Sequence, residues 1–195
     1  NNFEAARNLA ISANTLKSIM FQELGGTARY MNEEQLSIDA KLTRVLGSLL
    51  MSSKIFNDVL LFDRHGEVLV STPETSFTVG DRLGAALERP LTGSKMDPWM
   101  SEPFVAPNGH RAVLAIHPMK AGISSTDVYI AGLIDLQRSN VFSDMFKHTI
   151  KSDPGTYAYL VDGSGQLMMS AEEDRSEEVV PAEILQATFH KENTI

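Results

Sequence analysis

Val59-Leu60-Leu61-Phe62-Asp63-Arg64-His65-Gly66-Glu67-Val68-Leu69-Val70-Ser71 sets two apolar runs either side of an Asp-x-x-Gly turn. Apolar runs of this length around a tight polar turn predict a β-hairpin. Ninety-nine residues later the pattern returns as Ala158-Tyr159-Leu160-Val161-Asp162-Gly163-Ser164-Gly165-Gln166-Leu167-Met168-Met169-Ser170, with Asp, Gly and Ser in the same register. A hairpin used twice predicts two copies of one small α+β module.

Composition bounds what such a chain does. Its 195 residues suffice for one large or two small domains, and 43% apolar residues supply material for packed cores. The net charge is −8 with Lys and Arg scattered, which argues against a nucleic-acid surface and against electrostatic docking on anionic lipid. The absence of cysteine excludes disulfides, thiolate metal sites and a Cys nucleophile. No apolar run reaches the ~18 residues of a membrane span. With neither an initiator Met nor a signal peptide, the sequence is expected to be an excised domain of a longer protein.

Around the first hairpin the pattern is helical, then stranded. Phe3, Ala6, Ala10, Ala13, Leu16, Met20 and Leu24 recur at helical spacing and predict an amphipathic helix over 3–24, interrupted at Gly25-Gly26. A second run is expected from Asn32, with Gln35 completing a capping box, through Leu36, Leu42, Leu46 and Leu49 to about Ser53. Twenty helical residues extend roughly 30 Å, so either a core helix or a dimerising stalk fits. After the hairpin come the polar loop 72–76, a short helix or irregular segment over 79–91, and a polar stretch holding Trp99, the only tryptophan. Asn108-Gly109 predicts a turn into a strand over 111–119, and a further strand spans 128–136. Residues 137–150 read as a third helix, and 181–187 as a short helix with Pro at its first turn. Five strands with helices before and among them make an antiparallel α+β module, followed by a second, incomplete one.

Little of this carries reaction chemistry. His65, His110, His117, His148 and His190 show no metal-ligand spacing. Gly163-Ser164-Gly165 lacks the Lys-Ser/Thr and the helix of a phosphate loop and matches a plain hairpin turn. Glu33-Glu34 and Glu172-Glu173-Asp174 read as solvated charge runs. No nucleophile–base–orienter set assembles, so the chain reads as non-enzymatic and calls for no cofactor.

In order and spacing, the hairpin 61–71, Ser101-Glu102-Pro103-Phe104, the Asn108-Gly109 turn, His117-Pro118-Met119, Ile130-Ala131-Gly132-Leu133-Ile134-Asp135-Leu136 and the second hairpin from Tyr157 resemble the double-Cache domains. These are the extracytoplasmic ligand sensors of bacterial chemoreceptors, histidine kinases and membrane-bound diguanylate cyclases. The resemblance covers most of residues 36–170. It implies a long helix along two PAS-like modules: a stalk over 1–54, a membrane-distal five-stranded module over 55–138, and a linker helix with a partial proximal module over 139–195. It also implies a periplasmic domain of an inner-membrane protein, tethered by segments outside this sequence, with a cyclase or kinase output somewhat favoured over a chemoreceptor.

The amino-acid-binding branch of that family carries Arg-x-Trp-Tyr, Tyr-x-Asp and a closing Asp. Here only the closing Asp135 is kept; Phe104 and Ala106 hold the Tyr-x-Asp place. A buried ammonium needs carboxylate and aromatic partners, so the expected ligand is a small molecule other than a standard amino acid. The candidate pocket residues are Trp99, Phe104, His117, Tyr129 and Asp135. Against them stand plainer readings: Phe104 as core, Tyr129 pointing outward, His117 ending a strand. A homodimer through the N-terminal helix, with no nucleic-acid partner, completes the expectation. The competing reading is a ligand-free structural or protein-interaction module.

Overall fold

The computed structural model describes residues 2–34, 40–72, 76–84, 87, 97–119, 127–150, 159–161 and 167–170. The chain divides into two units, Asn1–Met145 and Phe146–Ile195.

Helix α1 (Asn2–Glu33) opens the first unit. Its 32 residues extend about 48 Å at the α-helical rise. Leu16, Met20, Leu24, Ala28 and Met31 are buried, a stripe at three- to four-residue spacing that faces the sheet. From Arg7 to Thr15 no side chain is buried. The helix passes through Gly25-Gly26 without a break, contrary to the interruption expected there. Its intrinsic cost of roughly 1 kcal/mol per glycine is met by tertiary packing: a Cβ on Gly25 would lie 2.8 Å from His117 Nε2. Asn32 correspondingly sits inside α1 rather than capping a new helix, and Gln35 falls outside the described residues. Helix α2 (Ala40–Ser53) follows and buries Leu42, Leu46 and Leu49.

The sheet has six strands: β1 (Asp58–Asp63), β2 (Val68–Ser71), β3 (Trp99–Met100), β4 (Phe104–Val105), β5 (Arg111–Pro118) and β6 (Val128–Asp135). The order is β2-β1-β6-β5-β3, with β4 also on β5, all antiparallel. One more edge strand is present than the five expected. Strands β3 and β4 share a single edge along β5, and between them Ser101 Oγ accepts from the Leu114 N–H at 2.8 Å.

The hairpin turn owes its geometry to its own residues. Asp63 Oδ1 accepts from the N–H groups of His65 and Glu67 at 2.8 and 2.9 Å, and Gly66 takes φ +78°, which a side chain disfavours. The segment after β2 folds back on this edge: Val68 N donates to Asp81 O, and Leu83 N to Gly66 O. An edge strand that would otherwise expose unpaired backbone is thereby covered.

Both faces of the sheet are buried. Alternate residues send Val59, Leu61, Ala115, Ile130, Gly132 and Ile134 toward the helices. Phe56 lies flat on Gly132, where a Cβ would come within 2.2 Å of the ring. The other face carries Leu60, Phe62, Ala112, Leu114, Ile116, Tyr129, Ala131 and Leu133, closed over by Phe77, Leu83 and Phe104.

Helix α3 (Val141–Ile150) starts from a reciprocal cap. Ser143 N donates to Asn140 Oδ1 at 2.8 Å and Asn140 N to Ser143 Oγ at 3.0 Å, the capping-box arrangement.

In the second unit, β7 (Tyr159–Val161) and β8 (Leu167–Ser170) form the repeated hairpin. Leu60↔Ser71, Leu61↔Val70 and Phe62↔Val68 in the first hairpin become Tyr159↔Ser170, Leu160↔Met169 and Val161↔Leu167 in the second. Each residue is displaced by ninety-nine positions, and the register slips at the same step in both. The helix expected at 181–187 lies outside the described residues. No helix among the described residues is long and apolar enough to cross a membrane.

Candidate functional site

The five candidate residues divide between the two faces of the sheet. Trp99, Phe104, Tyr129 and Asp135 stand on the face away from the helices. His117 pairs with Ile130, one residue out of step with Ile116, and so turns toward α1.

On the aromatic face the candidates form two groups at opposite ends. Trp99 and Tyr129 meet edge to face with centroids 5.6 Å apart, and Tyr129 stacks on Phe62 at 5.3 Å. Tyr129 is buried while Trp99 is half-buried, so the indole is the more open member. Burial raises the Tyr129 phenol above its usual pKa, and the neighbouring Asp127 carboxylate adds to the shift. Six residues along β6, about 20 Å away at strand rise, stands Asp135. Phe104 lies at that end too, opposite Ala112, which pairs with Asp135, and leans on Phe77 with centroids 6.2 Å apart.

Asp135 is 1% exposed and fully engaged. Its Oδ2 accepts from Asn108 Nδ2 at 3.2 Å and faces His110 Nδ1 at 2.8 Å. Because a carboxylate only accepts, His110 Nδ1 carries the proton. Oδ1 takes the Gln137 N–H at 2.9 Å. The backbone N–H of Asp135 donates to Asn57 Oδ1 at 2.8 Å, which also accepts from Asn140 Nδ2 at 2.9 Å. Asp135 therefore ties the Asn108-Gly109 turn, the end of β6 and the cap of α3 into one network.

Sequence reasoning passed over several of these groups. Asn57 and Asn140 are small polar residues in loops, and only their tertiary placement makes them hubs. Asp58 was likewise invisible. It is 1% exposed, accepts from Ser76 N at 3.0 Å, and has its pKa raised by burial, with Ser76 and Arg138 opposing and Asp135 reinforcing the shift. Among the described residues no cluster of His, Asp and Glu suited to a metal ion is present.

Comparison with known proteins places the fold. No family model matches the sequence, and no curated protein does. Solved structures do match. An extracellular ligand binding receptor from Desulfohalobium retbaense superposes with a TM-score of 0.74 at 13% identity, over 95% of this chain and 33% of that one. This chain thus spans about a third of that receptor's length. The ligand-binding domain of the Pseudomonas aeruginosa amino acid chemoreceptor PctB, in complex with L-Gln, gives 0.64 at 16% identity, over 91% of this chain and 70% of that one. The sensor domain of the Vibrio cholerae histidine kinase DctB gives 0.58 at 17%, over 95% and 73%. The fold is that of the Cache-type extracellular ligand-binding domains, with the long N-terminal helix and PAS-like antiparallel sheet expected from the sequence.

Proposed function

We propose, on the premise of this Cache fold, that the chain is the extracytoplasmic ligand-sensing part of a membrane-bound signalling protein, without catalysis of its own. The small molecule binds at the Trp99–Tyr129 end of the distal sheet, and the signal leaves through α1. The observation that carries this is the half-buried indole packed edge-on against a buried tyrosine, at the end of the sheet away from the Asp135 network. Aromatic walls with few polar groups suit a small organic ligand. The domain organisation follows as a helical stalk over 1–54, a distal module over 55–138 and a proximal portion over 139–195. The output is of the histidine kinase or diguanylate cyclase type.

The ligand is other than a standard amino acid. Asp135, the acid expected to receive an ammonium, is occupied by Asn108, His110 and Gln137, and Phe104 and Ala106 offer no second carboxylate.

Dimerisation through α1 has its own support. Residues Arg7 to Thr15 carry no buried side chain, and Ile11 and Ile19 are 56% and 40% exposed. Replacing both with Glu leaves the buried stripe intact. Sedimentation should show a dimer that the double variant converts to monomer; monomer in both cases would remove the stalk.

A thermal-shift screen over organic acids, amines, nucleobases and sugars tests the sensor reading. At 100 times its dissociation constant a ligand raises stability by about 2.7 kcal/mol. A Trp99→Ala variant should lose that shift. The alternative, a ligand-free interaction module, rests on the closure of the aromatic face by its own Phe62, Phe77 and Phe104. It predicts that no compound class moves the melting point.

A further inference from the structure

On the opposite face, where α1 crosses the end of β5, lies a cavity of about 460 Å³ lined by Gly25, Ala28, Asn32, Glu33, His117 and Met119, with Arg29 and Pro118 beside them. That size is within the range of small-molecule sites. The sensor reading does not use it.

Its polar groups are mostly acceptors. His117 Nδ1 lies 2.8 Å from Pro118 O; a carbonyl only accepts, so Nδ1 holds the proton and the neutral ring keeps Nε2 as an acceptor. Asn32 Oδ1 is buried and accepts no hydrogen bond among the described residues, a condition that protein interiors rarely leave unmet. Glu33 adds a carboxylate at the exposed rim. Both Asn32 and Glu33 belong to the last turn of α1, where the helix carbonyls present partial negative charge. Arg29 is exposed at the rim, where solvent screens its charge. Ala28, Pro118 and Met119 provide an apolar floor. The chain's net charge of −8 favours approach of a cation.

We infer that this cavity is a second ligand site, taking a small primary amine in its protonated form. The ammonium has three N–H donors for Asn32, His117 and Glu33, and its short alkyl chain lies against Ala28 and Met119. Occupancy adds a further link between α1 and the end of β5, which already pack together at Gly25 and His117.

Titration of the unmodified chain with propylamine, followed by ligand-observed NMR, is the direct test. Saturable binding below about 10 mM is expected, the range of a few placed hydrogen bonds. Tetramethylammonium carries the same charge without N–H donors and should bind about tenfold more weakly. Asn32→Leu and Glu33→Gln should each weaken propylamine by about fivefold or more. Trp99→Ala should leave it unchanged, which separates this site from the aromatic face. No saturation, equal binding of tetramethylammonium, or indifference to both variants would overturn the inference. The comparison of the two amines needs no variant, so it stands even where a substitution disturbs folding.

Discussion

At the residue scale, three residues have determinate roles. Asp58 is buried with its pKa raised above 3.8, so the native state holds a proton that the unfolded chain has already released between that value and the folded pKa. Stability accordingly falls as pH rises through this window, and the deficit is complete above it. Asp58→Asn keeps an oxygen for the Ser76 N–H and removes the charge. The variant should be at least as stable as the parent at pH 7 and should lack the decline, measured by urea unfolding at a series of pH values. Asp135 is held instead by its hydrogen bonds, its carboxylate oxygens engaged by Asn108, His110 and Gln137. Asp135→Ala strands the Gln137 N–H and frees the Asn108 turn, and should cost about 2–3 kcal/mol by the same measurement. Gly132 is the tightest of the described glycines. A methyl there meets Phe56 within 2.2 Å, on a strand paired on both sides by β1 and β5, and Gly132→Ala should cost about 3 kcal/mol or more.

The elements differ in how far they could be read in advance. The hairpin was legible because its signals are local: an Asx-type turn at Asp63, a left-handed Gly66 and apolar runs either side. Its recurrence at β7–β8 keeps the same pairing and the same slip, so the repeat is one of geometry as well as of sequence. The strands β5 and β6 were legible as strands but not in their facing. With both sheet faces covered they read as continuous apolar runs, and parity, which alone sets His117 on the helix side and Trp99 and Tyr129 on the other, leaves no trace in composition. Helix α1 failed locally for a tertiary reason. Gly25 looks like a breaker until His117 is seen pressed against it. Gly25→Ala favours the isolated helix by roughly 1 kcal/mol, yet it should lower the melting temperature of the folded chain, since the imidazole would have to move. A rise in melting temperature would show that the contact yields.

For the whole molecule, the fold follows from patterning and the function rests on placement. This chain sets a long helix on one face of its sheet and an aromatic cluster on the other, and the proposed sensing role needs both: a surface that a ligand changes and an element that carries the change away. A ligand transmits only the difference between its affinities for two states. On the proposed reading, the aromatic face rearranges or is covered when ligand binds, while the Asp135 network, anchoring β6 to α3, stays fixed. Trp99 is the chain's single tryptophan and stands at the proposed site in contact with Tyr129. Its emission therefore reports that site alone. Titrating the intact chain with the compound classes of the thermal screen while recording Trp99 fluorescence should give a saturable change in intensity or wavelength, at the same concentrations that raise the melting temperature. A ligand that raises the melting temperature while leaving Trp99 emission unmoved would contradict binding at the aromatic face.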